Sequence, residues 1–161
     1  MQPQVCFTQL ANMLADETRL LGQLARQLQH EHELLLANDV EGLEKAADSR
    51  QASVAGLSRL DEERRNLCRL LGHGADHAGL AAMFRWCDPT GSLAAPHAAA
   101  SREAQLCREQ NDRNGALVNA RLNRLNGMVD KMNGDSHRTY ESRGPARSTA
   151  AVPGRMLSIS A

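Results

Sequence analysis

Aromatic side chains are nearly absent from this chain: one tryptophan, one tyrosine and two phenylalanines make up 2% of it. β-branched residues are also scarce, and leucine and alanine supply most of the apolar set. Strands draw on β-branched and aromatic residues, so this inventory excludes a sheet-based fold. Leucine and alanine are good helix formers and support an all-α bundle with thin core layers.

A charge imbalance is missing too. Nineteen basic and nineteen acidic residues cancel, so nothing steers the chain toward nucleic acid or an anionic membrane. No apolar run approaches the roughly 20 residues of a membrane-spanning helix, which argues against membrane insertion. The start, Met1-Gln2-Pro3-Gln4, lacks a basic segment followed by an apolar stretch, and a cytoplasmic location is the expectation. Cys6, Cys68, Cys87 and Cys107 form no C-x-x-C pair. They read as small buried hydrophobes and not as a disulfide frame.

Catalytic and metal-binding signatures are equally thin. His73, Asp76 and His77 sit among glycines, but zinc needs three or four converging ligands and no fixed-spacing Cys or His completes the set. There is no G-x-S-x-G or phosphate loop. Glu62 and Glu63 neighbour Arg64 and Arg65 as on a solvated helix face. Neither an enzyme nor a cofactor is expected.

What is present is helical periodicity. Phe7, Ala11, Leu14, Thr18, Leu21, Ala25, Leu28, His32 and Leu35 recur at steps of three and four, predicting a helix over 7–36. Asn38 is placed to cap a second helix with Glu41 as its capping-box partner. That helix runs to about Leu71 on a seam of Val40, Leu43, Ala47, Val54, Leu57, Leu60, Leu67, Cys68 and Leu71. The very short link makes the two an antiparallel hairpin. Arg50, Asp61 and Arg64 fall near the seam, where long stems snorkel or pair across it. Gly72-His73-Gly74 stops the second helix. A short helix follows over 76–87, with Phe84 and Trp86 read as a plug over one end of the hairpin. Pro96 opens a third long helix that ends near Met132. The expected architecture is thus an all-α antiparallel bundle of three long helices plus one short helix. The bundle occupies 1–133, with a disordered C-terminal tail over 134–161.

The last helix carries the candidate site. At about 100° per residue, Leu117, Val118, Leu122, Leu125, Met128, Val129 and Met132 share one arc, with only Arg121 intruding. Bundle core is one reading of this face. The other is an open groove for a partner helix, which adaptable methionines suit. One turn earlier, Gln110, Asn111 and Asn114 occupy the same arc. They are either a buried amide layer that fixes register or a polar patch that meets a partner's backbone. In the tail, Tyr140 is the only tyrosine, and an isolated planar ring in a polar segment is either incidental or an anchor.

Together these residues resemble the FlgN family of flagellar type III export chaperones. The resemblance rests on Leu28-x-x-Glu31-x-x-x-Leu35 before the Asn38-Asp39 turn, on Lys45, and on Leu60-Asp61-x-x-Arg64. It rests also on Asn111-x-x-Asn114-Gly115, on Thr139-Tyr140 and on Gly144. One departure is Glu141, where the family often has glycine, which makes the local backbone less permissive. The resemblance implies a chaperone that binds hook–filament junction proteins, prevents their premature assembly and delivers them to the type III export gate. Substrate contact would fall to Leu117, Val118, Leu122, Leu125, Met128, Val129, Met132, Asn111 and Asn114. Contact with the gate's cytoplasmic domain would fall to Tyr140. The rival readings are a structural coiled-coil adaptor acting by self-association and a helical-bundle enzyme.

Overall fold

The computed structural model describes residues 1–140, with side chains through residue 133. All regular structure among the described residues is helical. Four helices follow in order: α1 (Pro3–Ala37), α2 (Val40–Leu70), α3 (His77–Cys87) and α4 (Ala94–Tyr140). The chain divides into two units, Met1–Arg121 and the segment from Leu122 onward.

Helix α1 opens on Pro3, whose missing N–H costs nothing in the first turn. Leu14, Leu21, Leu28 and Leu35 recur at every seventh position and are all buried, with Cys6 and Leu10 ahead of them and Glu31 between the last two. This repeat keeps one stripe of the helix turned inward along its length. Asn38 ends α1 in the left-handed region at φ 58°, its N–H on the last-turn carbonyls. It is therefore the C-cap of α1 and not the N-cap of α2. Asp39 caps α2, its carboxylate accepting from the Gly42 N–H at 2.9 Å. Glu41 lies one position short of the capping-box site and pairs instead with Lys45.

Contacts between α1 and α2 run from Glu17–Arg64 and Leu20–Gly56 to Gln27–Ser49 and Glu31–Arg50. Arg64 also holds Asp61 at 3.0 Å, and both Arg64 and Glu17 are half-buried. The buried face of α2 is Ala46, Ser53, Leu60, Leu67 and Cys68. Val40 and Val54, placed on the seam by their apolarity, are exposed, and so is Ala47. The reason is close approach. Small residues face α1 along the first half of α2, and a Cβ at Gly56 would lie 3.1 Å from the Leu20 side chain.

Within Met1–Arg121 the apolar core has two centres. The first joins Cys6, Leu10 and Leu14 to Leu67 and Cys68 of α2, to Met83 and Cys87 of α3 and to Leu93. The second joins Leu21 and Leu28 to Ala100 and Cys107 of α4. Its α4 side consists of small residues, so each leucine there matters: truncating one to alanine costs about 2–5 kcal/mol. All four cysteines are free and buried. Burial pushes the Cys6 thiol up to about 12, which makes it inert packing.

Asp76 caps α3 through the Gly79 N–H. Met83 and Cys87 are its buried plug, and Phe84 packs edge-on to His97 at 5.3 Å. Trp86 is exposed and does not share that role. At the entry to α4, Asp88 accepts from the Leu93 N–H at 2.7 Å and from the Thr90 and Ser92 hydroxyls. These bonds hold its carboxyl below the ordinary range, the Leu93 N–H most of all. Helix α4 begins at Ala94, with Pro96 in its first turn, and continues to Tyr140 instead of ending near Met132. A glycine such as Gly134 costs a helix interior about 1 kcal/mol and does not by itself stop it. The rest of the expected tail, 141–161, lies outside the described residues. No helix among the described residues is long and apolar enough to cross a membrane.

Candidate functional site

Within Met1–Arg121 the site begins as a polar layer between α4 and the first two helices. Asn114 is buried. Its Nδ2 donates to the Leu28 carbonyl at 2.8 Å, and its Oδ1 lies 3.0 Å from His32 Nδ1. With Nδ2 committed to a carbonyl, Oδ1 is the acceptor and His32 Nδ1 carries the proton. Both ends of the amide are therefore used by α1. Asn111 is exposed, and its Oδ1 accepts from Arg50 Nη1 at 3.1 Å.

Arg50 also reaches Glu31, with its Nε 3.1 Å from Oε1. Glu31 is only 6% exposed, and burial raises its pKa against the pull of Arg50 and His30. The approach of Arg50 makes an ion pair but lacks hydrogen-bond alignment, so the enclosed Oε1 has no hydrogen-bond partner. Gln110 Oε1 is buried in the same condition. Leu117 is half-buried, and Val118 is exposed.

From Leu122 onward the apolar arc of α4 faces solvent. Leu122, Leu125, Met128 and Val129 are 52–58% exposed, and Met132 is 71% exposed. Scattered exposed leucines are ordinary on protein surfaces, but large apolar side chains repeating at three and four along one helix make a continuous strip. Such a strip has the geometry that accepts a partner helix by its own apolar face. Arg121 intrudes on this arc, and Arg124, Asp130 and Lys131 lie outside it.

Tyr140 is the last described residue of α4, and its side chain lies outside the described residues. His73, Asp76 and His77 do not join a metal-binding group among the described residues, and Asp76 is already engaged as the α3 cap. Two residues that the sequence did not assign to the site enter it here. Glu31 sits between Leu28 and Leu35 on the buried stripe, where a carboxylate stands out by type. Gly115, the end of the asparagine motif, would meet nothing within 4 Å if it carried a Cβ.

No curated protein and no solved structure matches the chain. A family model described as FlgN protein matches residues 1–148. That span is well over half of the 161 residues, and the chain belongs to the FlgN family.

Proposed function

We propose that this chain is a cytoplasmic flagellar export chaperone. It binds hook–filament junction proteins, keeps them from assembling prematurely and delivers them to the export gate. Membership in a family of non-enzymatic chaperones supports this reading. The observation that carries it further is the exposed strip Leu122, Leu125, Met128 and Val129. The strip takes an amphipathic helix from the substrate, and burial of both apolar faces drives the association. Leu117, Val118 and Met132 extend the same arc. Asn111 borders it, while Asn114 acts from inside by fixing the register of α4.

The bundle is antiparallel, as the α1–α2 pairs suggest: Glu17 with Arg64 and Glu31 with Arg50. The chaperone domain covers 1–133, and the segment from 134 serves gate contact through Tyr140. Binding orders both partners, so affinity falls well below what buried area alone predicts.

The test is a calorimetric titration of the full chain with a junction protein, intact and lacking its C-terminal segment. Saturable binding is expected only with the intact partner. Tyr140→Ala is expected to leave that complex unchanged and to weaken binding to the gate's cytoplasmic domain. Equal binding of the truncated partner would rule out the proposed substrate segment, and equal gate affinity would remove Tyr140 from the interface.

A further inference from the structure

The asparagine motif borders a cleft of about 370 Å³ formed by α1, α2 and α4, wholly within Met1–Arg121. Its polar lining includes Glu31, Arg50 and Asn111, and its apolar lining includes Leu35, Leu43 and Val118. Three observations say what fits there.

The first is the Glu31 carboxylate, more than nine-tenths buried, with Oε1 enclosed and without a hydrogen-bond partner. A buried acceptor in that state is costly until a donor reaches it. The second is charge. Arg50 Nε already stands 3.1 Å from Oε1, so the pair is electrostatically balanced. A second cation would be repelled by Arg50, and an anion by Glu31. What remains is a neutral group that donates. The third is Gly115, which also lines the cleft. Glycine is a poor helix residue, yet no neighbour within 4 Å requires its lack of a side chain. Its bare backbone leaves the cleft open.

The same lining supplies the N–H groups of Arg50 and of the Asn111 carboxamide, whose Oδ1 is already taken by Arg50. An acceptor and donors in one lining complement a primary carboxamide, the neutral side-chain group that offers both N–H and C=O. We propose that this cleft binds the carboxamide of an asparagine or glutamine on a partner polypeptide. The methylene stem of that residue lies against Leu35, Leu43 and Val118. The proposal does not depend on the export-chaperone reading, and its test requires no flagellar protein.

The full chain is titrated with isovaleramide and followed by backbone amide shifts in ¹H–¹⁵N spectra. Three probes share its branched apolar tail: methyl isobutyl ketone, isoamylammonium and isovalerate. Isovaleramide is expected to give saturable shifts around Glu31, Ala47 and Gly115. It should bind about tenfold more tightly than each of the other three, the worth of its added hydrogen bonds. Gly115→Leu suits the helix, so it should keep the melting temperature and lose the binding. Glu31→Met should erase the preference for the amide over the ketone. Equal binding of the ketone would overturn the proposal, as would tighter binding of the ammonium or the carboxylate. So would an absence of saturable shifts, or unchanged affinity in folded Gly115→Leu.

Discussion

At the scale of single residues, the polar layer on α4 separates two asparagines that share a motif. Asn114 is buried and bonded at both ends, so Asn114→Ala leaves the imidazole of His32 without its partner and opens a void. The expected loss of stability is about 1–3 kcal/mol, read from urea unfolding. Asn111 is exposed, and its alanine variant should stay within about 0.5 kcal/mol of the native chain. Similar losses for the two would mean that the layer does not hold α4. Glu31 adds a pH dependence. Its carboxyl ionises at about 4.5 when unfolded, and burial raises that value in the folded chain. A raised carboxyl contributes stability that is fully present below 4.5 and is lost as pH rises through the folded value. Melting temperatures of the native chain and Glu31→Gln, compared from pH 7 to pH 4.5, should therefore shift in favour of the native chain on acidification. A parallel response of the two proteins would show that Glu31 titrates normally.

At the scale of elements, the helices were legible and their edges and inner faces less so. The three-and-four spacing from Phe7 to Leu35 announces α1, and the glycines after Leu71 announce the end of α2. The cap between them was misplaced by one residue, since Asn and Asp both suit that turn and only backbone geometry assigns Asn38 to the left-handed position. The inner face of α2 was misread for a different reason. Valines were weighted by apolarity, but the packed face admits Ala46, Ser53 and Gly56 because α1 comes close. The sequence reads Phe84 and Trp86 as the plug, whereas Met83 and Cys87 are buried there and Trp86 is exposed. Glu31 fits a spacing in the sequence, but a pattern of residue types does not reveal a cleft formed by three helices. The entry to α4 rests on Asp88. Its folded pKa is depressed, so its contribution is present above the ordinary value of 3.8 and is lost as pH falls through the folded one. Asp88→Ala should lower the melting temperature at pH 7 and have a smaller effect near pH 2.5. An effect independent of pH would show that the carboxylate charge plays no part in the cap.

At the scale of the whole molecule, the proposed activity, the holding of another protein's helix, rests on membership in the FlgN family and on the exposed apolar strip of α4. The cost of displaying such a strip is a risk of aggregation, which a binding partner relieves by covering it. Self-association through the same strip is the competing use, and a monomer–dimer shift on dilution without substrate would favour it. The most direct measurement is on Leu122→Asp combined with Val129→Asp. Both side chains are more than half exposed, so two carboxylates there should cost the fold no more than about 1 kcal/mol. They should nevertheless disrupt any apolar partner laid along the strip. Circular dichroism is expected to show native helix content, and a junction protein is expected not to co-purify with the double variant. Undiminished co-purification, or loss of helix content together with loss of binding, would contradict the account.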